Sequence, residues 1–297
     1  MTERLGFIGL GVMGRPMAKR IRDGGFTLTV FSRSRGPVDE LARAGAATAS
    51  SPADVARQSS IVITMLPDTP DVDAVITGTG GVTEGLAPGS IVIDMSSISP
   101  VATKRLAERV AERGGVMLDA PVSGGEVGAI SGTLSIMVGG DAQAFERARP
   151  VLACMGHADR IVHIGDAPGS GQVCKICNQV AIAGALAGVS EALALAKKSG
   201  VDGAKVRAAL LGGFAASRVL EVHGERILNG NYKPGFRTRL YQKDLRLANE
   251  AAASAGVAMP ATALVTQLVN ALMASGGGEL DNAAIAKVIF AMAGLEG

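Results

Sequence analysis

Short, uninterrupted apolar runs alternate with amphipathic stretches between Arg4 and about Ile164. Residues 5–8, 28–31, 61–65, 91–94, 116–119, 134–138 and 161–164 have the length and β-branched content of buried strands. Between them, residues 16–23, 52–59, 100–113 and 142–155 carry helical periodicity, and several open on proline or a small polar residue. That alternation predicts βαβ units and a largely parallel sheet with helices on both faces. After Gly165 the strand pattern stops. The remainder is rich in Ala and Leu at helical spacing, punctuated at Gly200, Gly212-Gly213, Asn229-Gly230, Gly256 and Gly276-Gly277-Gly278. The expectation is an α/β domain over residues 1–164 and an all-helical domain over 165–297, joined by a long helix near residues 172–199. No internal repeat or long low-complexity linker interrupts the chain.

The first apolar run ends in Gly9-Leu10-Gly11-Val12-Met13-Gly14. A GxGxxG pattern is weak alone, but here it follows a predicted strand and opens a predicted helix, as dinucleotide binding requires. Gly9 suits the tight turn, Gly11 lets a pyrophosphate approach the backbone, and Gly14 allows helix and strand to pack closely. The free N–H groups and positive dipole end of the helix then face the anion. The second run ends in Phe31-Ser32-Arg33-Ser34-Arg35, with no acid before Asp39. An acid there would bind a ribose 2′-hydroxyl, whereas cations and hydroxyls suit a 2′-phosphate. This favours NADP(H). Stacking of Arg33 on adenine, with use of NAD(H) as well, stays open.

Composition narrows the class further. The 297 residues suit about two domains, and 47% hydrophobic residues exclude a disordered chain. With 29 Lys and Arg against 27 Asp and Glu, and 3% aromatics, there is no basic stripe for a nucleic-acid backbone. Cys154, Cys174 and Cys177 are too few for a disulfide framework and point to a reducing compartment, the cytoplasm. Met1-Thr2-Glu3-Arg4 does not read as a secretory leader. The most membrane-like stretch, residues 180–196, is mostly Ala and Gly and carries Glu191, so no membrane partner is expected. Cys174 and Cys177 form a CxxC without a second ligand pair, and His157, His163 and His223 lack ligand spacing, so no metal is expected.

Two other segments carry candidate chemistry. Asp119-Ala120-Pro121-Val122-Ser123-Gly124-Gly125 follows a predicted strand, and its Gly-Gly amides with the Ser123 hydroxyl could cradle a carboxylate; alone, such a segment is more often only a turn. Gly171-Gln172-Val173-Cys174-Lys175-Ile176-Cys177-Asn178-Gln179 opens the long helix, and Lys175, Asn178 and Gln179 share one face at i, i+3 and i+4. Small or apolar neighbours suggest partial burial of Lys175, which would make it a useful proton donor. Without the other motifs a solvated surface lysine would be the better assignment.

Taken together, Gly6–Gly14, Asp119–Gly125, Gly171–Gln179 and Lys243-Asp244-Leu245 resemble the signatures of the β-hydroxyacid dehydrogenase family, in order and across essentially the whole chain. The resemblance implies a Rossmann domain, a helical C-terminal domain with the substrate site between them, and NAD(P)-dependent interconversion of a hydroxyacid with its aldehyde or ketone. The Ala-rich and apolar composition of the helical half separately suggests subunit contacts and a homodimer or homotetramer. By that resemblance Lys175 is catalytic, Asn178 and Gln179 orient substrate, and Ser123, Gly124 and Gly125 clamp its carboxylate. The cofactor residues it implies are Gly9, Leu10, Gly11, Val12, Met13, Gly14, Ser32, Arg33, Ser34, Met65, Leu66, Pro67, Ser97 and Lys243. Ser97 replaces a threonine common in the family but keeps the hydroxyl.

Ser190-Glu191-Ala192-Leu193 and Asn231-Tyr232-Lys233-Pro234-Gly235-Phe236-Arg237 resemble the branch that reduces tartronate semialdehyde. Arg218 departs from that branch, and whether it faces a pocket or solvent decides its meaning. The implied partner is a small carboxylate-bearing aldehyde or hydroxyacid, to which the nicotinamide gives hydride while Lys175 protonates the forming alkoxide. The alternatives are a family member acting on 3-hydroxyisobutyrate, glyoxylate or succinic semialdehyde, or a non-catalytic NADP(H)-binding scaffold.

Overall fold

The protein is described by a computed structural model over residues 3–295. Met1 and Thr2, part of the leader reading above, lie outside the described residues. Contacts divide the chain into one unit ending at Lys175 and a second beginning at Ile176.

In the first unit β1 (Arg4–Ile8), β2 (Thr27–Phe31), β4 (Ile61–Thr64), β5 (Ile91–Asp94) and β6 (Val116–Asp119) form the parallel centre of a sheet. A short β3 (Ala47–Thr48) extends one edge. On the other side lie β7 (Val122–Ser123), β8 (Leu134–Gly139) and β9 (Gly156–Gly165). The strand order is β3-β2-β1-β4-β5-β6-β8-β7, with β9 paired to β8. The expected parallel arrangement holds except around β8, which runs antiparallel to β6 and β7. The two-residue strands β3 and β7 are too short to show a period, so sequence pattern could not announce them.

Both faces of the sheet are buried, which is why its strands read as continuous apolar runs rather than alternating ones. Phe7, Ile61, Ile63, Ile91, Ile93 and Leu118 point into one core. Their neighbours Ile8, Val62, Val92 and Met117 point into the other. The first core packs α1 (Gly14–Asp23) through Met17 and Ile21, and α8 (Ala142–Leu152) through Phe145 and Ala148. The second packs α3 (Pro52–Gln58) through Val55, α4 (Thr69–Thr77) through Val72 and Ile76, and α6 (Pro100–Ala111) through Leu106 and Val110. Four further helices lie between the strands: α2 (Arg35–Arg43), α4, α5 (Val82–Gly85) and α7 (Gly125–Ser131); α5 and α7 are short and α4 is weakly amphipathic, whereas α2 is amphipathic enough to have been legible.

Several helices start on sequence-legible caps. Ser51, Asp68, Ser99 and Asp141 each accept from a backbone N–H in the first turn of the helix they precede, and proline stands at the start of α3, α4 and α6.

The long α9 (Ser170–Lys198) begins in the first unit and continues in the second, which otherwise holds α10 (Gly203–Leu211), α11 (Arg218–Leu228), α12 (Thr238–Ala255), α13 (Pro260–Ala274) and α14 (Ile285–Met292). The helix ends follow the glycine punctuation: Gly200, Gly212, Gly230, Gly256 and Gly276 all lie just beyond a helix. By length and composition α9 could cross a membrane. In this fold it is a core helix, contributing Ala183, Leu186, Ala187, Leu193 and Ala194 to the apolar cluster of the helical unit. A single β-bridge, Arg237 with Asp281, accompanies these helices among the described residues.

Phe7 is fully buried at the centre of the first core. Phe7→Ala should cost about 3–5 kcal/mol, read as a lower denaturant midpoint for the first unit.

Candidate active site

The candidate site of the first unit is built on the carboxyl ends of its parallel strands, where open α/β sheets carry ligands. At the end of β1 the chain turns through Gly9, with φ of 98°, into α1. A Cβ on Gly14 would overlap the Gly9 carbonyl oxygen, so helix and turn meet at a distance only glycine permits. Unlike α3, α4, α6 and α8, α1 has no side-chain cap, and its first turn holds no acid. Gly11 is exposed, with open space where a Cβ would stand. Uncapped N–H groups, an open backbone and a positive dipole end fit a pyrophosphate. Val12 is also exposed, Met13 is half-buried, and Leu10 is buried with its N–H directed at the Ser32 hydroxyl 3.5 Å away.

Arg33 and Ser34, just beyond β2, are exposed. The Arg33 side chain is 84% exposed and lies 3.6 Å from Asp71 of α4. Arg35 is 3.6 Å from Asp39. The end of β2 thus presents cations and hydroxyls to solvent, with no carboxylate on that turn to receive a ribose 2′-hydroxyl.

At the ends of β4 and β5 the backbone is set by a buried carboxyl. Asp94 is 0% exposed. Its Oδ1 accepts from Thr64 Oγ1 at 2.8 Å, from Ser96 Oγ at 2.6 Å and from Ser96 N at 3.2 Å. Ser96 Oγ in turn accepts from Leu66 N at 2.9 Å. The Met65-Leu66-Pro67 turn and the Ser96-Ser97 turn are therefore tied together, with Ser97 half-buried beside the tie. Asp94 Oδ2 has no hydrogen-bond partner. Burial, opposed by these hydrogen bonds and reinforced by the nearby Asp119 charge, pushes the Asp94 carboxyl up to about 6.

Asp119 ends β6 in register with Asp94 and is also fully buried. It receives Gly169 N at 2.7 Å and Gln172 N at 2.8 Å, so it caps the start of α9 from a different strand. The Gln172 side chain donates to Ser96 O at 2.8 Å and accepts from Ile98 N at 3.1 Å. Lys175, three residues further along α9, is 8% exposed, more deeply buried than the partial burial expected. Ser123 closes β7 half-buried, and Gly124 and Gly125, with φ of 134° and 61°, turn the chain into α7. These are backbone angles that L side chains seldom adopt.

Asn178 and Gln179 lie on α9 within the helical unit. Asn178 Nδ2 donates to Gln179 Oε1 at 2.8 Å, and Gln179 Nε2 donates to Asp244 Oδ2 at 2.5 Å. Lys243 Nζ is 3.1 Å from Asp244 Oδ1. The four side chains make one row linking α9 to α12. Asp281 orders a second element: it accepts from Gly235 N at 2.8 Å and Phe236 N at 3.0 Å and pairs with Arg226 at 3.3 Å. It thereby holds the Lys233-Pro234-Gly235-Phe236 turn. Arg218 opens α11, 78% exposed and 2.6 Å from Glu221. A concavity of about 390 Å³ on α11 is lined by Arg218, Glu221, Glu225, Arg226 and Asn229 among others, and by none of the candidate site residues. Cys154, Cys174 and Cys177 are free thiols, and among the described residues no cluster of His, Cys, Asp and Glu is arranged to hold a metal ion.

Two families match. The NAD binding domain of 6-phosphogluconate dehydrogenase matches residues 4–165. The NAD-binding domain of NADP-dependent 3-hydroxyisobutyrate dehydrogenase matches residues 169–289. The chain is 47% identical to 2-hydroxy-3-oxopropionate reductase of Escherichia coli K12, over 98% of each chain. It is 38% identical to the NAD-dependent L-serine dehydrogenase of Pseudomonas aeruginosa, covering 96% of this chain and 97% of that one. The solved structure of Mycobacterium tuberculosis 3-hydroxyisobutyrate dehydrogenase with L-serine superposes with a TM-score of 0.88 at 32% identity, covering 97% of this chain and 99% of that chain. The chain belongs to the β-hydroxyacid dehydrogenase family. It is an NAD(P)-dependent oxidoreductase acting on a CH–OH group, and it binds a nicotinamide cofactor.

Sequence pattern did not single out Asp94, Ser96, Gln172, Asp244 or Asp281. A usable signal was present for the first: a carboxylate ending an otherwise apolar strand is costly to bury unless it is hydrogen-bonded. The other partnerships join residues distant in sequence.

Because Asp94 is raised to about 6 by burial, its ionisation opposes folding. Stability from this group is full below the unfolded carboxyl value near 4 and is lost as pH rises through about 6. Subtracting the Tm of Asp94→Asn from that of wild type should therefore give a difference that falls between about pH 4 and 6 and then levels.

Proposed function

We propose that this enzyme reduces tartronate semialdehyde (2-hydroxy-3-oxopropionate) to D-glycerate with NADPH, in the cytoplasm and as a homodimer or homotetramer. What carries the proposal is the buried Lys175 on α9, together with 47% identity across 98% of the chain to a 2-hydroxy-3-oxopropionate reductase. The uncapped start of α1 would hold the pyrophosphate of a reduced nicotinamide cofactor, which would supply the hydride. Lys175 as ammonium protonates the oxygen of the carbonyl being reduced. In a site shielded from water a fixed cation stabilises that developing charge far better than solvent does. Ser123 and the amides of Gly124 and Gly125 hold the substrate carboxylate, and Asn178, three residues along α9 from Lys175, orients the substrate. Gln179, anchored to Asp244, limits the freedom of Asn178.

The relatives include enzymes named for L-serine and for 2-(hydroxymethyl)glutarate. A second reading therefore places another small hydroxyacid, 3-hydroxyisobutyrate or the product of glyoxylate or succinic semialdehyde reduction, in the same site with the same roles. NADPH oxidation at 340 nm with each semialdehyde separates the two: tartronate semialdehyde should give the highest kcat/KM, and a higher value for another semialdehyde moves the substrate and keeps the mechanism.

Two variants test the assigned roles. Lys175→Ala should lower kcat by about 10²–10⁴-fold, the usual contribution of a placed proton donor, with NADPH affinity retained in fluorescence titration. Arg33→Ala should raise KM for NADPH by about 10–100-fold, the worth of one charge-assisted bond to phosphate, and leave KM for NADH within about twofold. An equal loss with both cofactors would show that Arg33 reads something other than the 2′-phosphate.

A further inference from the structure

Asp119 has no place in the chemistry proposed above, yet its carboxyl group holds the helix start from which Lys175 projects. It is fully buried at the end of β6. Its two oxygens are divided between two N–H groups of the same helix start, Oδ1 with Gly169 at 2.7 Å and Oδ2 with Gln172 at 2.8 Å. The contact spans 50 and 53 residues of sequence, so it is no local cap. A Cβ on Gly171 would collide with the carbonyl oxygens of Met137 and Asp119, so this turn of helix lies directly on the ends of β6 and β8. Gln172 adds a second attachment, its amide bridging Ser96 O at 2.8 Å and Ile98 N at 3.1 Å. Lys175 follows Gln172 by three residues, less than one helical turn. A rotation or slide of the first turn therefore displaces the Lys175 side chain almost rigidly.

We propose that Asp119 is a positioning residue for Lys175: its carboxylate, assisted by the Gln172 amide, fixes the rotation and depth of the first turn of α9 on the sheet edge, and so fixes where the Lys175 ammonium is presented. This rests on the reading of Lys175 as proton donor. A carboxylate suits the task because both oxygens accept, and each bond to a charged acceptor is about twice as strong as a neutral one. Asparagine keeps the shape but presents an NH₂ to one of the two N–H groups, which breaks one bond and leaves a buried donor facing a donor.

The test compares wild type, Asp119→Asn and Lys175→Ala in NADPH-dependent reduction of tartronate semialdehyde, with hydrogen exchange of the 169–175 amides and NADPH affinity measured on the same preparations. For Asp119→Asn the expected result is a fall in kcat of about 10–100-fold, the scale of a misplacement near 1 Å. KM and NADPH affinity should stay within about threefold, since the cofactor cradle on α1 is untouched. The solvent deuterium isotope effect on kcat should rise, because proton delivery becomes slower, and exchange at residues 169–173 should accelerate. Faster exchange with kcat within twofold of wild type would overturn the proposal, as would unchanged exchange. Wild-type turnover by Lys175→Ala would instead remove the proton-donor reading, and the positioning role with it, whatever the exchange data show.

Should Asp119→Asn fail to fold, Gln172→Met provides the same test from the helix side. It retains the bulk and removes both bonds to the 96–98 turn, so kcat should fall, the isotope effect should rise and exchange at residues 169–173 should accelerate. An unchanged kcat in a folded Gln172→Met would count against the brace.

Discussion

Two carboxyl groups lie in register at the ends of adjacent strands with no access to water, Asp94 on β5 and Asp119 on β6. Burying either would be prohibitive without compensation, because the charged form loses its hydration. Each is compensated differently. Asp119 satisfies backbone N–H groups at a helix start that would otherwise be orphaned, so charge-assisted bonds offset part of the desolvation, and burial still holds its carboxyl above the ordinary aspartate value. Asp94 gathers two hydroxyls and an amide on one oxygen and leaves the other bare. Together they join the turns after β4 and β5 and the origin of α9 into one hydrogen-bonded edge, and the remaining candidate residues of the first unit are placed relative to it.

The same edge shows how a binding site arises by omission. Helices α3, α4, α6 and α8 are closed by a Ser or Asp cap, and the first three of these begin with proline. Helix α1 has neither a side-chain cap nor an acid in its first turn, so its N–H groups and dipole remain available for a phosphate. The turn after β2 likewise carries no carboxylate and exposes Arg33, an electrostatic preference of the same sign.

In the helical unit the polar row from Asn178 through Gln179 and Asp244 to Lys243 is the counterpart of that edge. A buried carboxylate again anchors an amide, and the amide positions the neighbouring side chain named for substrate contact. Asp281 does the same for the turn around Gly235 and Phe236. Buried acids, as well as apolar packing, hold these candidate segments in place.

The sequence by itself determined the strand positions of the parallel centre, the change to helices after Gly165, the ends of the helices at glycine, and the dinucleotide signature at the end of β1. Each of these is local: a strand buried on both faces must be apolar throughout, a helix ends where glycine permits, and a phosphate-binding turn needs glycine at fixed offsets. Tertiary structure alone decided the antiparallel placement of β8, the pairing of Asp119 with an amide 53 residues away, the link from Gln172 to Ser96, and the coupling of Gln179 to Asp244. Pairwise contacts across such separations leave no periodic trace in a single chain, because what selects them is the shared need of buried polar groups for partners, and that need arises only once the sheet and helices have packed.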